Sequence, residues 1–211
     1  GRFCSVWGAT VTISARILLI YILDGDEFYF VEDGSTTVTN ATTTFADDTP
    51  ASLTFTPSGS CKALTLYNAS NIGGTESAYG KKTAISIGGS DYAQAEKAPK
   101  AANNCDSIFT AHALSLTAVS KTVKGRFANC GAAATVTVNS RQLGVLLFAD
   151  STLLDIVTST TQVYTSSNSL VNDGQATINR TTTDSMELLV VAVGTKRNNT
   201  TSSDQGERYG I

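Results

Sequence analysis

Residues able to perform hydrolytic chemistry are rare in this sequence. His112 is its single histidine, and no Gly-x-Ser-x-Gly motif is present to hold a serine nucleophile on a sharp turn. His112 stands between Ala111 and Ala113 in a strand-like stretch, where a solvent-facing or hydrogen-bonded core histidine is the ordinary case. We therefore predict no catalytic residue and expect that the protein is not an enzyme.

Acidic side chains form three short clusters: Asp24, Asp26 and Glu27; Glu32 and Asp33; Asp47 and Asp48. A glycosidase needs two carboxyl groups across a cleft, usually furnished with aromatic rings, and the chain has a single tryptophan, Trp7. Acidic turns are the simpler interpretation. No EF-hand loop is present, so whether the first or third cluster binds calcium stays open. We predict neither a metal site nor a cofactor.

The cysteines favour disulfide bonds over a metal site. Because the chain has one histidine, a zinc site would need cysteine ligands alone at very long spacings. Three connectivities of two disulfides are possible. We favour a bond between Cys105 and Cys130, which closes a loop of moderate length, and this leaves Cys4 to pair with Cys61.

Asn-x-Ser/Thr sequons point to an exported chain. Five asparagines begin one: Asn40, Asn68, Asn179, Asn198 and Asn199. Each alone is weak in a threonine-rich sequence. Together with the cysteines and a charged fraction of only 16%, they indicate an extracellular glycoprotein with covalent N-glycans.

Composition excludes two classes of partner. The formal net charge is −3 and the basic residues are scattered, so the basic stripe that nucleic-acid binding requires is missing. The longest unbroken apolar run, residues 17–23, is far shorter than the roughly 20 residues that span a bilayer. We therefore predict no nucleic-acid partner and no membrane span.

Short strand-like runs separated by turn residues dominate the chain. They predict an all-β fold, an antiparallel β-sandwich of Ig-like or jelly-roll type. The only helix-prone window is residues 91–103, so we expect at most one short helix there. We also expect a strand break at residues 47–50 and a turn region at residues 125–131. Residues 24–211 are interpreted as one domain and residues 1–23 as a separate N-terminal strand.

Residues 9–31 carry the strongest strand signal. Apolar and polar side chains alternate over residues 10–17, as in a half-buried strand. Residues 17–23 are apolar on both faces and need protein layers on both sides. A turn signal at Asp24-Gly25 leads into a second short run, residues 28–31, as in a hairpin.

A terminal strand of this kind can leave its own sheet and complete that of a neighbour by β-strand addition. Repeated head to tail, such a contact does not close and gives a filament. The partners would be copies of the same chain. The side chains predicted to fill the neighbour's groove are Val11, Ile13, Ala15, Ile17, Leu19, Tyr21 and Leu23.

In this organisation the chain resembles secreted pilus subunits that polymerise by donor-strand complementation, such as bacterial type 1 pilins and glycosylated archaeal threads. The resemblance rests on residues 9–23, the cysteines, the sequons and the Ser/Thr-rich strand pattern. It implies a structural subunit of an extracellular, cell-surface filament. Type 1 pilins carry a tyrosine next to their last residue, whereas Tyr209 is third from the end here.

Two other interpretations stay open. Residues 9–23 would serve equally as an ordinary central strand of a monomeric sandwich. A secreted carbohydrate-binding, lectin-like or adhesin domain has the same architecture, although sugar sites usually use exposed aromatic rings and the aromatic fraction is 8%.

Overall fold

The computed structural model describes residues 27–74, 80–97, 106–131, 135–149, 174–175 and 177–179. Within these ranges it contains nine β-strands and no helix. The strands are β1 (Glu27–Asp33), β2 (Val38–Asn40), β3 (Ala46–Phe55), β4 (Cys61–Gly74), β5 (Lys81–Ile87), β6 (Ser90–Lys97), β7 (Asp106–Leu116), β8 (Lys121–Asn129) and β9 (Val136–Phe148).

The strands form two antiparallel sheets that pack face to face. Sheet A has the order β1-β9-β4-β7, with β2 also paired to β9, and sheet B has the order β3-β8-β5-β6. At one side β1 contacts β3, and at the other β7 contacts β6. This arrangement confirms the predicted all-β sandwich.

The alternation within β4 shows how the sequence builds the core. Ala63, Thr65 and Tyr67 are buried between the sheets, whereas Leu64 and Leu66 point to the outer side of sheet A and are only half-buried. This is the period-two pattern of a strand with two unlike faces. Facing strands contribute the rest of the core, including Phe55, Ile85, Val123, Phe127, Leu143 and Val145.

The ring of Tyr67 packs so closely against the backbone of β8 at position 125 that only glycine fits there. A Cβ atom at Gly125 would overlap ring atoms Cδ2, Cε2 and Cζ of Tyr67, a side chain with no solvent exposure. The sequence-based prediction of a turn at residues 125–131 was wrong, because β8 runs through Gly125 to Asn129. Glycine is needed at position 125 because a side chain would clash with the Tyr67 ring, and not because the chain turns there.

The other two local predictions were also overridden by tertiary pairing. Residues 91–97 belong to strand β6 rather than to a helix, because they pair with β5 across a Gly88-Gly89 turn. Both glycines have positive φ, as a tight hairpin turn requires. The rest of the predicted helical window, residues 98–103, lies outside the described residues. The chain does not break at residues 47–50, since β3 continues through Pro50 with a register shift between Asp47 and Ser52. An edge strand tolerates proline at such an irregularity.

Arg141 of β9 links the two sheets at one end of the sandwich. Its side chain has no solvent exposure, and Nε donates to Asp48 Oδ2 of β3 at 3.0 Å. Nη1 donates to Asp33 Oδ1 of β1 at 2.9 Å and to the Thr36 carbonyl oxygen, and Nη2 donates to the Val138 carbonyl oxygen at 2.8 Å. A buried guanidinium needs such partners, because an uncompensated charge is very costly.

The two carboxylates bound to Arg141 have opposite pKa shifts. Burial raises the pKa of Asp48, although its hydrogen bonds from Tyr67 and Arg141 act in the other direction. The Asp33 carboxylate accepts hydrogen bonds from the Thr36 backbone and hydroxyl and from the Ser35 backbone. These bonds, together with Arg141, lower the pKa of Asp33 to about 2.

Replacement of Gly125 by alanine tests the close approach of Tyr67. We expect Gly125→Ala to lower the free energy of unfolding by about 1–3 kcal/mol, because the added methyl group must displace a ring held between two sheets. Urea denaturation measures the change. The matched control is Gly59→Ala, where a Cβ atom would meet nothing within 4 Å. Equal effects of the two substitutions would contradict this account.

Acid titration tests the role of Asp33. Its folded pKa of about 2 lies below the unfolded value of 3.8, so its stabilising contribution is complete above the unfolded value and is lost as the pH falls toward 2. We expect the stability difference between the parent chain and Asp33→Asn to shrink over that window in urea denaturation. Glu32→Gln controls for loss of a carboxylate from the same strand. A difference independent of pH would contradict the assignment.

Candidate functional site

The outer faces of the two sheets have opposite chemistry. On sheet B, Lys124 and Arg126 of β8 form ion pairs with Asp47 at 2.6 and 3.0 Å, and Arg126 pairs with Asp91 at 2.7 Å. These side chains are partly exposed. A face of paired charges is suited to water, so sheet B needs no further protein layer.

The outer face of sheet A is apolar. Register pairs Phe28 of β1 with Leu146 of β9, and Leu146 in turn with Leu64 of β4. In the next row Phe30 lies opposite Gly144, which lies opposite Leu66. Together with Phe109 of β7, these residues are called the apolar face. Phe28, Phe30 and Phe109 are 53%, 50% and 37% exposed. Single exposed apolar residues are common on protein surfaces, whereas several large ones on one face are not.

A shallow depression lies over Gly144 in the apolar face. Its volume is about 300 Å³, and it is open to one side. The rings of Phe28 and Phe30 flank it with centroids 6.0 Å apart. Because glycine presents no side chain there, the neighbouring rings and Leu66 form the walls. The depression therefore suits an apolar side chain inserted from another segment.

A row of hydrogen-bonded polar side chains borders the apolar face. Gln142 Nε2 donates to Glu32 Oε1 at 3.1 Å, and Asn68 Nδ2 donates to Gln142 Oε1 at 2.9 Å. Ser107 Oγ then donates to Asn68 Oδ1 at 2.7 Å. The row crosses β1, β9, β4 and β7. Since these groups bond to one another, they form a rim and leave the apolar surface itself without polar partners.

The free edge of β1 adjoins this face. Within the described part of the chain β1 pairs only with β9, through seven residues without a register shift. Its sequence EFYFVED contains neither proline nor lysine. Exposed edge strands are usually protected by such residues, by bulges or by short length. The central residues 28–31 of β1 have none of these protections, whereas the acidic residues Glu27, Glu32 and Asp33 lie at its two ends.

The edges of sheet B are protected. Edge strand β3 contains Pro50 and a register shift. Edge strand β6 has a register shift at its pairing with Ala84 and Ile85, and Ala93 within it has a φ of 36°. Both irregularities discourage pairing with another chain. Among the described strands, the long edges without such irregularities of their own are β1 and β7, and both belong to sheet A.

The predicted donor side chains lie outside the described residues. They are Val11, Ile13, Ala15, Ile17, Leu19, Tyr21 and Leu23, and Asp24 and Asp26 lie outside them too. The donor role therefore stays a prediction. The described chain begins at Glu27, whose carboxylate accepts hydrogen bonds from the Tyr29 hydroxyl at 2.7 Å and the Ser58 backbone at 3.1 Å.

The adjacent carboxylates of Asp47 and Asp48 do not converge. Asp47 binds Lys124 and Arg126 on the outer face of sheet B, whereas Asp48 is buried with Tyr67 and Arg141. Over the described ranges, no group of three or more His, Cys, Asp or Glu side chains is placed to hold a metal ion. No helix in those ranges is long and apolar enough to cross a membrane.

His112 lies on the core side of β7. Its ring stacks on Tyr92 with centroids 4.8 Å apart, and burial lowers its pKa. Within the described part of the chain, its Nδ1 atom is buried without a hydrogen-bond partner. This is the geometry of a packed aromatic ring.

No disulfide is seen among the described residues. Cys61 is a buried thiol whose pKa is raised by that burial, and Cys130 directly follows β8. Their predicted partners, Cys4 and Cys105, lie outside the described ranges. Both pairings stay predictions.

The sequons differ sharply in accessibility. Asn40 is 7% exposed, and its amide donates to the Thr44 and Phe127 carbonyl oxygens at 2.9 Å each, so both amide hydrogens are engaged. Asn68 is half-buried in the polar rim, whereas Asn179 is exposed. Asn198 and Asn199 lie outside the described residues. Among the described sequons, Asn179 is the one with an open path for a glycan.

Sequence reasoning missed the apolar face. The segment at residues 28–31 was recognised only as the second strand of a hairpin, and Leu64 and Leu66 only as one side of a strand. The face exists because register brings β1, β9, β4 and β7 side by side. The available signal was Phe28 and Phe30, two large apolar residues at alternate positions.

Comparison with known proteins gives no family. No family model and no curated protein matches the chain. Among solved structures, it is similar to dimeric latent PorU from Porphyromonas gingivalis at a TM-score of 0.37 and 8% identity, over 58% of this chain and 13% of that one. It is also similar to the Eiger TNF from S. frugiperda, at a TM-score of 0.35 and 11% identity over 65% and 99%.

A third similar structure is the sugar-binding EclA C-terminal domain, at a TM-score of 0.30 and 17% identity over 59% of this chain and 79% of that one. All three TM-scores lie below 0.5. The likenesses therefore carry no argument about family or function.

Proposed function

We propose that the protein is a structural subunit of an extracellular filament at the cell surface. One copy joins the next when its N-terminal strand completes the neighbour's sheet. The observation that carries the proposal is the edge of β1, which has no second strand partner among the described residues and lies beside the exposed apolar face. A strand added there would cover apolar surface and satisfy main-chain groups in a single contact, as β-strand addition does.

Apolar burial gives this contact its driving force. Phe28 and Phe30 are each about half exposed, and completing the burial of such a side chain contributes about 1 kcal/mol. Strand addition would also pair the main-chain groups at the β1 edge that have no strand partner in the described part of the chain. Because the same contact repeats from copy to copy without closing, the product is a filament rather than a dimer.

The proposal includes covalent features suited to an extracellular polymer. N-glycosylation at Asn179 leaves the sandwich undisturbed, because that side chain is exposed. Disulfides from Cys105 to Cys130 and from Cys4 to Cys61 would tie flanking segments to the domain. The charged outer face of sheet B would remain in solvent along the fibre.

A second candidate function is carbohydrate binding. The observation that favours it is the depression flanked by Phe28 and Phe30 and bordered by Asn68 and Gln142, since sugars stack on aromatic rings. The weakness of this candidate is that the amides of Asn68 and Gln142 already bond to each other. Binding in a glycan array that is lost in Phe30→Ala, by a chain that forms no fibres, would favour it.

Substitutions in the N-terminal strand test assembly in the full-length chain. We expect Leu19→Asp to abolish filaments, because it places a charge among the side chains predicted to fill the neighbour's groove. Thr12→Asp is the matched control, since the period-two pattern points Thr12 to the opposite side. Negative-stain microscopy and sedimentation measure assembly, and circular dichroism checks the fold.

Deletion of residues 1–23 gives an independent test of the same proposal. The shortened chain should retain the sandwich and lose assembly, whereas deletion of the polar residues 198–211 should leave filaments intact. Normal filaments from the chain without residues 1–23 would contradict the donor role.

A further inference from the structure

We infer that the receiving site for the added strand is the free edge of β1, and that residues 17–23 of the neighbouring copy occupy it. The inference rests on the proposed filament function, and it specifies the two surfaces that meet. Among the edges of the described sandwich, β1 is selected by the composition of residues 28–31, by its continuous pairing with β9 and by its place in the sequence directly after residues 1–26.

The central part of the β1 edge, residues 28–31, is apolar on both sides, and acidic residues lie at its ends. Phe28 and Phe30 point to the outer face, while Tyr29 and Val31 point inward and pack against the core. Tyr29 stacks on Phe55 of sheet B with ring centroids 4.6 Å apart. A strand placed beside β1 therefore meets apolar side chains both above and below the sheet.

The opposite edge of sheet A does not offer this surface. On β7, Thr110 and His112 lie on the core side, opposite Tyr67 and Thr65 of β4. Ser107 and Ser115 lie on the outer side. Although Phe109, Ala111 and Ala113 also lie on the outer side of β7, these polar groups make β7 less apolar than residues 28–31 of β1 as a neighbour for a strand that is apolar throughout.

Residues 17–23 match the β1 edge in length, and they match its central residues 28–31 in polarity. The segment ILLIYIL has apolar or aromatic side chains at every position, so both of its sides need cover. Its seven residues equal the seven of β1. Full overlap would place Ile17, Leu19, Tyr21 and Leu23 on one side of the extended sheet and Leu18, Ile20 and Ile22 on the other.

The point at which the chain enters β1 allows the segment to reach a neighbour. Residues 24–26 separate residues 17–23 from Glu27, the first residue of β1. With that connection extended, the segment continues beyond the end of sheet A toward another subunit. Folded back as a hairpin, the same segment would occupy its own β1 edge and end growth. The two arrangements exchange the same strand, as in domain swapping.

Cysteine cross-linking distinguishes these arrangements. Ile20 is the central residue of the segment and Phe30 that of β1, so full overlap brings them together in either strand direction. We expect a mixture of full-length Ile20→Cys and Phe30→Cys chains to give a covalent dimer on oxidation under assembly conditions. Assembled Ile20→Cys/Phe30→Cys double variants should give a ladder of covalent multimers. Val119→Cys, in the exposed turn after β7, replaces Phe30→Cys as the control.

Each cross-linking result either supports or overturns the assignment of the β1 edge as the receiving site. An internal link within single chains of the double variant would overturn it, and would also remove the basis for a filament. Filaments that form with no Ile20–Phe30 link would overturn the receiving edge while leaving the filament function intact. A link equally strong with Val119→Cys would also overturn the inference.

A second experiment places a charge on the edge strand and measures assembly without any cross-link. Phe28→Lys introduces the residue that natural edge strands use against pairing, at a side chain 53% exposed. We expect the protein concentration needed for assembly to rise about tenfold or more, as a loss of contact free energy of about 1.4 kcal/mol would produce. Val119→Lys, at 56% exposure, should leave it unchanged. Equal assembly by the two variants would overturn the inference.

Discussion

The buried guanidinium of Arg141 fixes strand β1 against the rest of the sandwich. It binds Asp33 at the end of β1 and Asp48 in the opposite sheet, and it also holds two main-chain carbonyl groups. Breaking a fully buried pair such as Arg141–Asp48 typically costs about 3–5 kcal/mol, because the remaining charge has no compensation. One end of β1 is therefore anchored, while its other end leads into residues 1–26. An anchored strand with an open edge is a fixed template for pairing.

The outer faces of the two sheets differ in chemistry, and this difference indicates which side of the sandwich can bind a further strand. Sheet B presents paired charges to solvent, whereas sheet A presents Phe28, Phe30 and their neighbours. A rim of hydrogen-bonded side chains from Glu32 to Ser107 limits the apolar area without supplying groups for a polar ligand. Within the described residues, one side of the sandwich lacks a further apolar strand or layer. The proposed assembly with copies of the same chain would supply it.

Features that depend on local sequence pattern could be predicted, whereas features that depend on pairing between distant strands could not. Alternation predicted the two sides of β4 and the all-β class, because burial on one face is a local property of a strand. Residues 91–97 have helical propensity but form β6, since pairing with β5 outweighs intrinsic preference. Gly125 was interpreted as a turn residue because its actual reason, the ring of Tyr67, is remote in sequence. The apolar face and the Arg141 network depend on register between distant strands, which one sequence does not display.

The account depends on a strand being added at the edge of β1 when subunits assemble. Hydrogen–deuterium exchange of the full-length chain, followed by mass spectrometry, measures this directly at concentrations below and above assembly. Strand addition predicts that peptides covering Glu27–Asp33 and residues 17–23 gain protection together on assembly, while edge strand β6 exchanges at an unchanged rate. Assembled material in which the β1 peptides exchange as fast as in the dilute chain would contradict the account.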